Sequence, residues 1–198
     1  GHWQEAAGKF QQAAEIDPAR MEARLGVGIC QLHLNSPKLA LAAFERYWKE
    51  GGLADWERLA LTRARFVAGD EGVGERAEHL IRSAVYSPLR SRNLAEEVRN
   101  MRRRLEETAE PGNLKRGRGG IVDIEFLVQY LQLLHGPAYP PVRQPSTREA
   151  LRALVRLKKI GEADGQVLRE AFEFLTVLAN RVRIMHGLSA NALPAQAG

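Results

Sequence analysis

Apolar positions recur along most of this chain at helical spacing. Residues 3–16 place Trp3, Ala6, Ala7, Phe10, Ala13 and Ala14 on one side of a helix. Asp17-Pro18 stops that run, because proline lacks the amide a helix needs and biases its predecessor away from helical geometry. Further helices are predicted over 20–34, 37–50, 56–68, 74–86 and 93–108, with breaks at Asn35-Ser36-Pro37, Gly51-Gly52 and Gly69-Asp70. Asn93 with Glu96 three residues on has the pattern of an N-cap with a supporting acid, and Leu94, Val98, Met101 and Leu105 mark the apolar face that follows. Pro111-Gly112-Asn113 opens a basic, glycine-rich loop over 113–120. Residues 121–135 are apolar round most of their circumference (Ile121, Ile124, Phe126, Leu127, Val128, Tyr130, Leu131, Leu133, Leu134), the pattern of a central, buried helix. A proline-rich connection at 136–145 leads to a Ser146/Glu149 capping box and a helix to about 160, with Gly161 just past its end. The last helix is predicted to be capped by Asp164 and to run to His186. Its inward face is Leu168, Phe172, Leu175, Leu178, Val182 and Met185, and Gly187 is its stop. The small, polar tail 189–198 is expected to fray. Period-2 alternation bounded by turn signals is absent, so no strand is predicted and the fold class is all-α.

One internal repeat is visible. Ala6 and Phe10 recur as Ala40 and Phe44, and residues four apart share a helix face. The 34-residue offset resembles a tetratricopeptide repeat, with Leu25-Gly26 at its small-residue position. About one and a half repeats are present; a helical pair with coincidental spacing is the alternative. The organisation read from these patterns is a tetratricopeptide-like segment over 1–52 followed by an antiparallel helical bundle over 53–198.

Composition narrows the class. The 198 residues are 44% hydrophobic, 27% charged and 7% aromatic, which is globular rather than disordered or collagenous. No apolar run approaches the about 18 residues of a membrane span, so no membrane association is expected. One cysteine, Cys30, excludes a disulfide framework and a cysteine-based zinc site and reads as a buried helix residue. No HExxH pattern or His-Cys cluster suggests a metal. His33, His135 and His186 fall at helix ends, where His135 reads as a partner of the helix dipole. The chain does not begin with Met and Gly1-His2 reads as a cloning remnant, so a piece of a longer, cytoplasmic protein is expected. The net charge is +5, and much of it is local. Arg99, Arg102, Arg103, Arg104, Lys115, Arg116 and Arg118 face only Glu106, Glu107 and Glu110 within 99–118. Such a patch attracts an anionic partner or is simply a solvated face. Nucleic acid fits poorly, because interleaved aromatics and a recognisable motif are lacking.

Two segments are more specific. One is Trp56-Glu57-Arg58-Leu59-Ala60-Leu61-Thr62-Arg63-Ala64-Arg65-Phe66-Val67-Ala68-Gly69-Asp70. The other is Leu114-Lys115-Arg116-Gly117-Arg118-Gly119-Gly120-Ile121-Val122-Asp123-Ile124-Glu125-Phe126-Leu127-Val128-Gln129. In this order they resemble the bifunctional glutamine synthetase adenylyltransferase/adenylyl-removing enzymes over roughly residues 37–188. Arg143-Gln144-Pro145-Ser146-Thr147 with Glu149-Ala150-Leu151 adds to the match, and Asn180-Arg181-Val182-Arg183 lies where that family has its closing helix.

The resemblance implies a polymerase-β-like nucleotidyltransferase core followed by a helical bundle, with this chain supplying the bundle. It implies AMP transfer from ATP to glutamine synthetase and its removal, with ATP and Mg²⁺ for the whole enzyme. Glutamine synthetase and the PII signal protein are the implied partners, and glutamine is an implied effector. The family's metal-binding carboxylates lie two apart on a strand, where they share a face. Asp123 and Glu125 after Gly119-Gly120 imitate that signature on a helix, where residues two apart diverge. Asp55 and Glu57 fail likewise. No catalytic residue or metal site is therefore assigned to this chain, and alone it is expected to be inactive.

The candidate contact residues are Lys115, Arg116, Arg118, Gly119, Gly120, Asp123, Glu125 and Gln129, with Trp56, Glu57, Arg63, Arg65 and Asp70 in the first motif. Two readings of the loop stay open. Glycine-exposed amides at a helix N-terminus, with three cations, suit a phosphate or the partner's adenylylated loop. Alternatively the loop docks on the bundle, with Asp123 or Glu125 paired to Arg63 or Arg65. The rival function is a non-catalytic repeat-plus-bundle interaction scaffold.

Overall fold

The computed structural model describes residues 2–51, 53–89, 91–186 and 191–192. Gly1, Gly52, Gly187 and most of the tail lie outside the described residues, so the remnant, the second half of the Gly51-Gly52 break and the Gly187 stop are not addressed by it. The fold is all-α, with only an isolated bridge between Asn113 and Ala192 as extended pairing among the described residues. Contacts divide the chain into two compact units, Gly1–Ser87 and Pro88–Gly198.

The first unit contains α1 (His2–Ile16), α2 (Met21–His33), α3 (Pro37–Lys49), the single turn α4 (Arg58–Leu61) and α5 (Glu71–Val85). Helix α2 packs against both α1 and α3. Two glycines of α2 permit this. A Cβ on Gly26 would lie 2.7 Å from the Phe10 ring, and one on Gly28 would lie 2.4 Å from the Phe44 ring. The two phenylalanines related by the 34-residue offset thus press on α2 from opposite neighbours. Cys30 is buried on α2, as expected, and Ala40 is buried on α3. Trp3 and Phe10 remain partly exposed, so the apolar side of α1 is only half covered. Residues 53–87 join α1–α3 because α5 packs on α3, with Arg76 3.9 Å from Glu45. This division by contact falls later than the pattern-based one at 52/53.

The helix expected over 56–68 is reduced to residues 58–61. The Thr62 hydroxyl donates to the Leu59 carbonyl (2.7 Å), and Phe66 turns back so that its ring lies against Gly74, whose Cβ would meet it at 2.4 Å. The Phe66 N–H donates to Glu78 Oε1 (2.8 Å). Asp70 does not end a helix; its Oδ1 accepts from the Val73 N–H (2.8 Å) and starts α5 three residues earlier than expected.

The second unit contains α6 (Leu94–Glu107), α7 (Ile121–His135), a 3₁₀ turn (Pro140–Val142), α8 (Thr147–Arg156) and α9 (Glu162–His186). Helix α7 packs against α6, α8 and α9, and its Ile124 and Val128 meet Val142, Leu151 and Leu154 in the core. It is not buried all round: Leu127 and Leu134 are exposed, whereas Gln129 and Gln132 are buried. Gln132 holds the proline-rich connection, its Nε2 donating to the carbonyls of Val142 and Gln144 (both 2.8 Å).

Three terminal assignments change. Asn93 makes no side-chain cap; Ser91 instead accepts from the Asn93 N–H (3.1 Å) and donates to Glu97 (2.6 Å). Helix α8 ends at Arg156 because Lys158 adopts φ 55°, four residues before the expected stop. Helix α9 begins at Glu162, so Asp164 lies in its first turn rather than capping it. The Ser146 cap is present, accepting from the Glu149 N–H (3.5 Å). Among the described residues, no helix is long and apolar enough to cross a membrane.

Gly28→Ala should lower the stability of the first unit by about 1–2 kcal/mol in urea unfolding, since overpacking against Phe44 outweighs the gain in helix propensity. Gly8→Ala, with nothing within 4 Å of the added methyl group, should raise it by about 0.5–1 kcal/mol.

Candidate functional site

The second family motif forms a closed loop in front of α7. Asn113 is buried, and its Oδ1 accepts from the N–H groups of Lys115 (3.0 Å) and Arg116 (2.8 Å). The Gly117 N–H then donates to the Asn113 carbonyl (2.9 Å), and the Gly120 N–H to the Gly117 carbonyl (3.0 Å). The first amides of α7 are taken by the same loop: Ile121 donates to Leu114 and Val122 to Lys115, each at 3.0 Å. A Cβ on Gly120 would lie 2.8 Å from the carbonyl oxygens of Leu114, Lys115 and Gly117, so only glycine fits there. Gly119 alone of the three motif glycines needs a left-handed backbone, at φ 73°.

Arg102 fastens the loop from α6. Its Nε donates to Asp123 Oδ1 (2.5 Å), and its Nη2 donates both to Asp123 Oδ2 (3.1 Å) and to the Gly117 carbonyl (2.8 Å). Asp123 Oδ2 also accepts from the Gly119 N–H (2.7 Å). One bidentate ion pair therefore joins α6, the loop and the first turn of α7. The chain beyond α9 adds a further tie. The Leu114 N–H donates to the Asn191 carbonyl, and Arg183 Nη2 donates to Asn191 Oδ1, both at 2.8 Å. Residues 191–192 are thus docked rather than frayed.

In this geometry the loop amides are turned inward, onto the loop itself. The N–H groups of Gly117, Gly119, Gly120, Ile121 and Val122 all have partners inside the loop or its flanks. For Asp123 the partner is Arg102 on α6. Arg102 was legible only as one cation of a charged helix; its place on the apolar side of α6, beside Val98, was the signal for burial. Glu125 lies half-buried and Gln129 buried further along α7. Lys115, Arg116 and Arg118 are exposed and have no ion-pair partner among the described residues.

The first motif lies in the other unit and is largely structural. Asp55 and Arg58 are buried and paired (3.3 Å), and Arg58 Nη1 donates to the Ser87 carbonyl (3.1 Å). Sequence reading missed both. Glu57 Oε2 accepts from the Ala54 N–H (2.7 Å), and Asp70 caps α5. Trp56, Arg63 and Arg65 are exposed.

His135 ends α7 beside Tyr139, ring centroids 6.4 Å apart, with Lys159 Nζ 4.0 Å from the Tyr139 ring centre. Burial, with the Lys159 charge second, holds its pKa below the ordinary histidine value. The folded protein therefore favours neutral His135, not the cation a dipole partner would be.

Residues 36–80 match the glutamate-ammonia ligase adenylyltransferase family model, and residues 89–197, more than half of the chain, match the GlnD PII-uridylyltransferase model. A bifunctional glutamine synthetase adenylyltransferase/adenylyl-removing enzyme of Stenotrophomonas maltophilia (strain K279a) is 39% identical over 80% of this chain and 17% of its own length. That of Xanthomonas axonopodis pv. citri (strain 306) is 37% identical over 79% of the chain and 17% of its length. That of Streptomyces avermitilis is 35% identical over 78% of the chain and 15% of its length. The chain belongs to the glutamine synthetase adenylyltransferase family. It spans about a sixth of the length of these curated relatives. The two family models fall one in each structural unit, 36–80 within Gly1–Ser87 and 89–197 within Pro88–Gly198.

Arg102→Met should cost about 2–3 kcal/mol in the second unit, because a charge-assisted hydrogen-bond set is lost and Asp123 is left without its counterion. Arg102→Lys should recover little of that, since an ammonium cannot make the bidentate contact. For His135 the unfolded chain binds its proton more readily, so the stability linked to it is full above pH 6.5 and is lost as pH falls toward the folded pKa. Unfolding measured from pH 7.5 downward should show His135→Gln losing less stability than the parent across that window.

Proposed function

We propose that this chain is the helical, non-catalytic part of an enzyme that transfers AMP from ATP to glutamine synthetase and removes it again, and that its role is to present the 114–118 loop to the partner. The observation that carries this reading is the locked loop. The loop's own oxygens, Asn113 and Asp123 take its backbone donors, Arg102 fastens Asp123, and Lys115, Arg116 and Arg118 stay exposed with no ion-pair partner among the described residues. A rigid cationic prong suits an anionic protein surface or an adenylyl phosphate. The absence of catalysis from the chain alone is supported by where its carboxylates lie: Asp123 is engaged by Arg102 and Gly119, and Asp55 is buried against Arg58. ATP and Mg²⁺ belong, on this reading, to a nucleotidyltransferase core elsewhere in the enzyme. PII and glutamine act as its nitrogen signals, and the cytoplasm is where it works.

A second reading rests on α1–α3. The seating of Phe10 and Phe44 on Gly26 and Gly28 supports a repeat-like scaffold, in which the first unit docks a partner without any part in catalysis.

Binding of the purified chain to unmodified and adenylylated glutamine synthetase, with and without glutamine, separates these. The proposal expects binding that depends on the adenylyl state or on glutamine and weakens with salt. Lys115→Glu/Arg116→Glu/Arg118→Glu should weaken it at least about 10-fold. The chain with Mg-ATP should transfer no AMP. Salt-insensitive binding unaffected by the triple variant would favour the scaffold, and AMP transfer by the chain alone would overturn the non-catalytic assignment.

A further inference from the structure

Helix α9 is 25 residues long and buries only one side. Leu168, Phe172 and Leu175 pack on the core, with Ala179 and Val182 buried further along. The opposite side carries large apolar groups in solvent: Val167 is 66% exposed, Phe174 66%, Val177 50% and Ile184 84%. Met185, expected to face inward, is 75% exposed beside them. The spacing 167, 174, 177, 184 is seven, three, seven, the spacing of a coiled-coil seam rather than of scattered surface residues. Two exposed charges complete the stripe at the missing seam positions, Glu170 and Arg181. The seam is about 26 Å long.

The order along the stripe is Val167, Glu170, Phe174, Val177, Arg181, Ile184. It is symmetric about the point midway between Phe174 and Val177: apolar, acid, apolar, apolar, base, apolar. We propose that this face of α9 is the interface of a two-fold, antiparallel pairing with a second copy of this chain. In that pairing Val167 meets Ile184, Phe174 meets Val177 and Glu170 meets Arg181, each contact occurring twice as a two-fold interface requires. The charges select the orientation. A parallel pair in register would set Glu170 against Glu170 and Arg181 against Arg181, with two repulsions at the seam in place of two attractions. Gln166 Nε2 already donates to Glu170 Oε1 (2.9 Å), which holds that carboxylate along the seam. An unrelated helix would have no reason to match this symmetry of charge. The inference does not depend on the proposed partnership with glutamine synthetase.

Sedimentation equilibrium of the 198-residue chain tests it. The parent should be a dimer at micromolar concentration. Phe174→Asp should weaken dimerisation at least about 100-fold, with unchanged helicity by circular dichroism, since Phe174 is mostly in solvent. Glu170→Arg and Arg181→Glu, each alone, should be monomeric through like charges at both contacts. Mixing those two variants should give a heterodimer, because each then supplies what the other lacks, and the double variant Glu170→Arg/Arg181→Glu should dimerise again. A monomeric parent would overturn the proposal and assign the seam to another protein or to sequence outside this chain. Dimerisation indifferent to the charge exchanges would equally overturn it.

Discussion

The second unit is organised by one guanidinium group. Arg102 reaches from α6 to Asp123 on α7 and to the carbonyl of Gly117, so that three segments distant in sequence share one set of charge-assisted bonds. The loop's own bonds, through Asn113 and its carbonyls, close around that anchor. The Asp123 carboxylate that Arg102 holds also accepts from the Gly119 amide, and the left-handed Gly119 turns the chain toward it. Gly120 must lack a side chain because three carbonyls crowd the point where the loop meets the helix. The helix N-terminus, which in isolation would invite an anion, is closed by the loop's own oxygens. What remains for a partner is the outer side, where three cations stand on a backbone that has little freedom left.

The first unit shows a comparable economy with smaller forces. Phe10 and Phe44 seat on two glycines of one helix, so α2 is gripped from both sides at close range. Downstream, the arginine-rich motif uses its residues for turns and caps: Thr62 folds back on Leu59, Phe66 covers Gly74, and Asp70 opens α5. Motif residues that look chemical in the sequence are thereby accounted for by local folding.

Helix content and most boundaries were legible because apolar spacing, proline and glycine act locally. Helix α7 was bounded to the residue, and the ends of α1, α2 and α3 fell within a residue or so of expectation. The failures share a cause. The 56–68 helix broke because Phe66 prefers a distant glycine on α5 to its own turn. Asn93 lost its cap to Ser91 and Glu97, and α8 stopped at a left-handed lysine that no local rule flags. At the candidate site, the sequence identified the loop, its glycines and its cations but not the residue that holds them. Arg102 lies 21 positions from Asp123, and a pairing across that distance leaves no periodic trace. The exposed seam of α9 was hidden for a related reason: a helix with apolar residues on both sides does not say from sequence which side faces the core.

The closure of the loop by Arg102 is the claim on which the site rests, and amide hydrogen exchange of residues Gly117 to Asp123 tests it directly. Closure predicts slow exchange at Gly119, Gly120, Ile121 and Val122, unchanged by inorganic phosphate at millimolar concentration. Fast exchange at these amides that slows when phosphate is added would show the donors free for an anion and would contradict it.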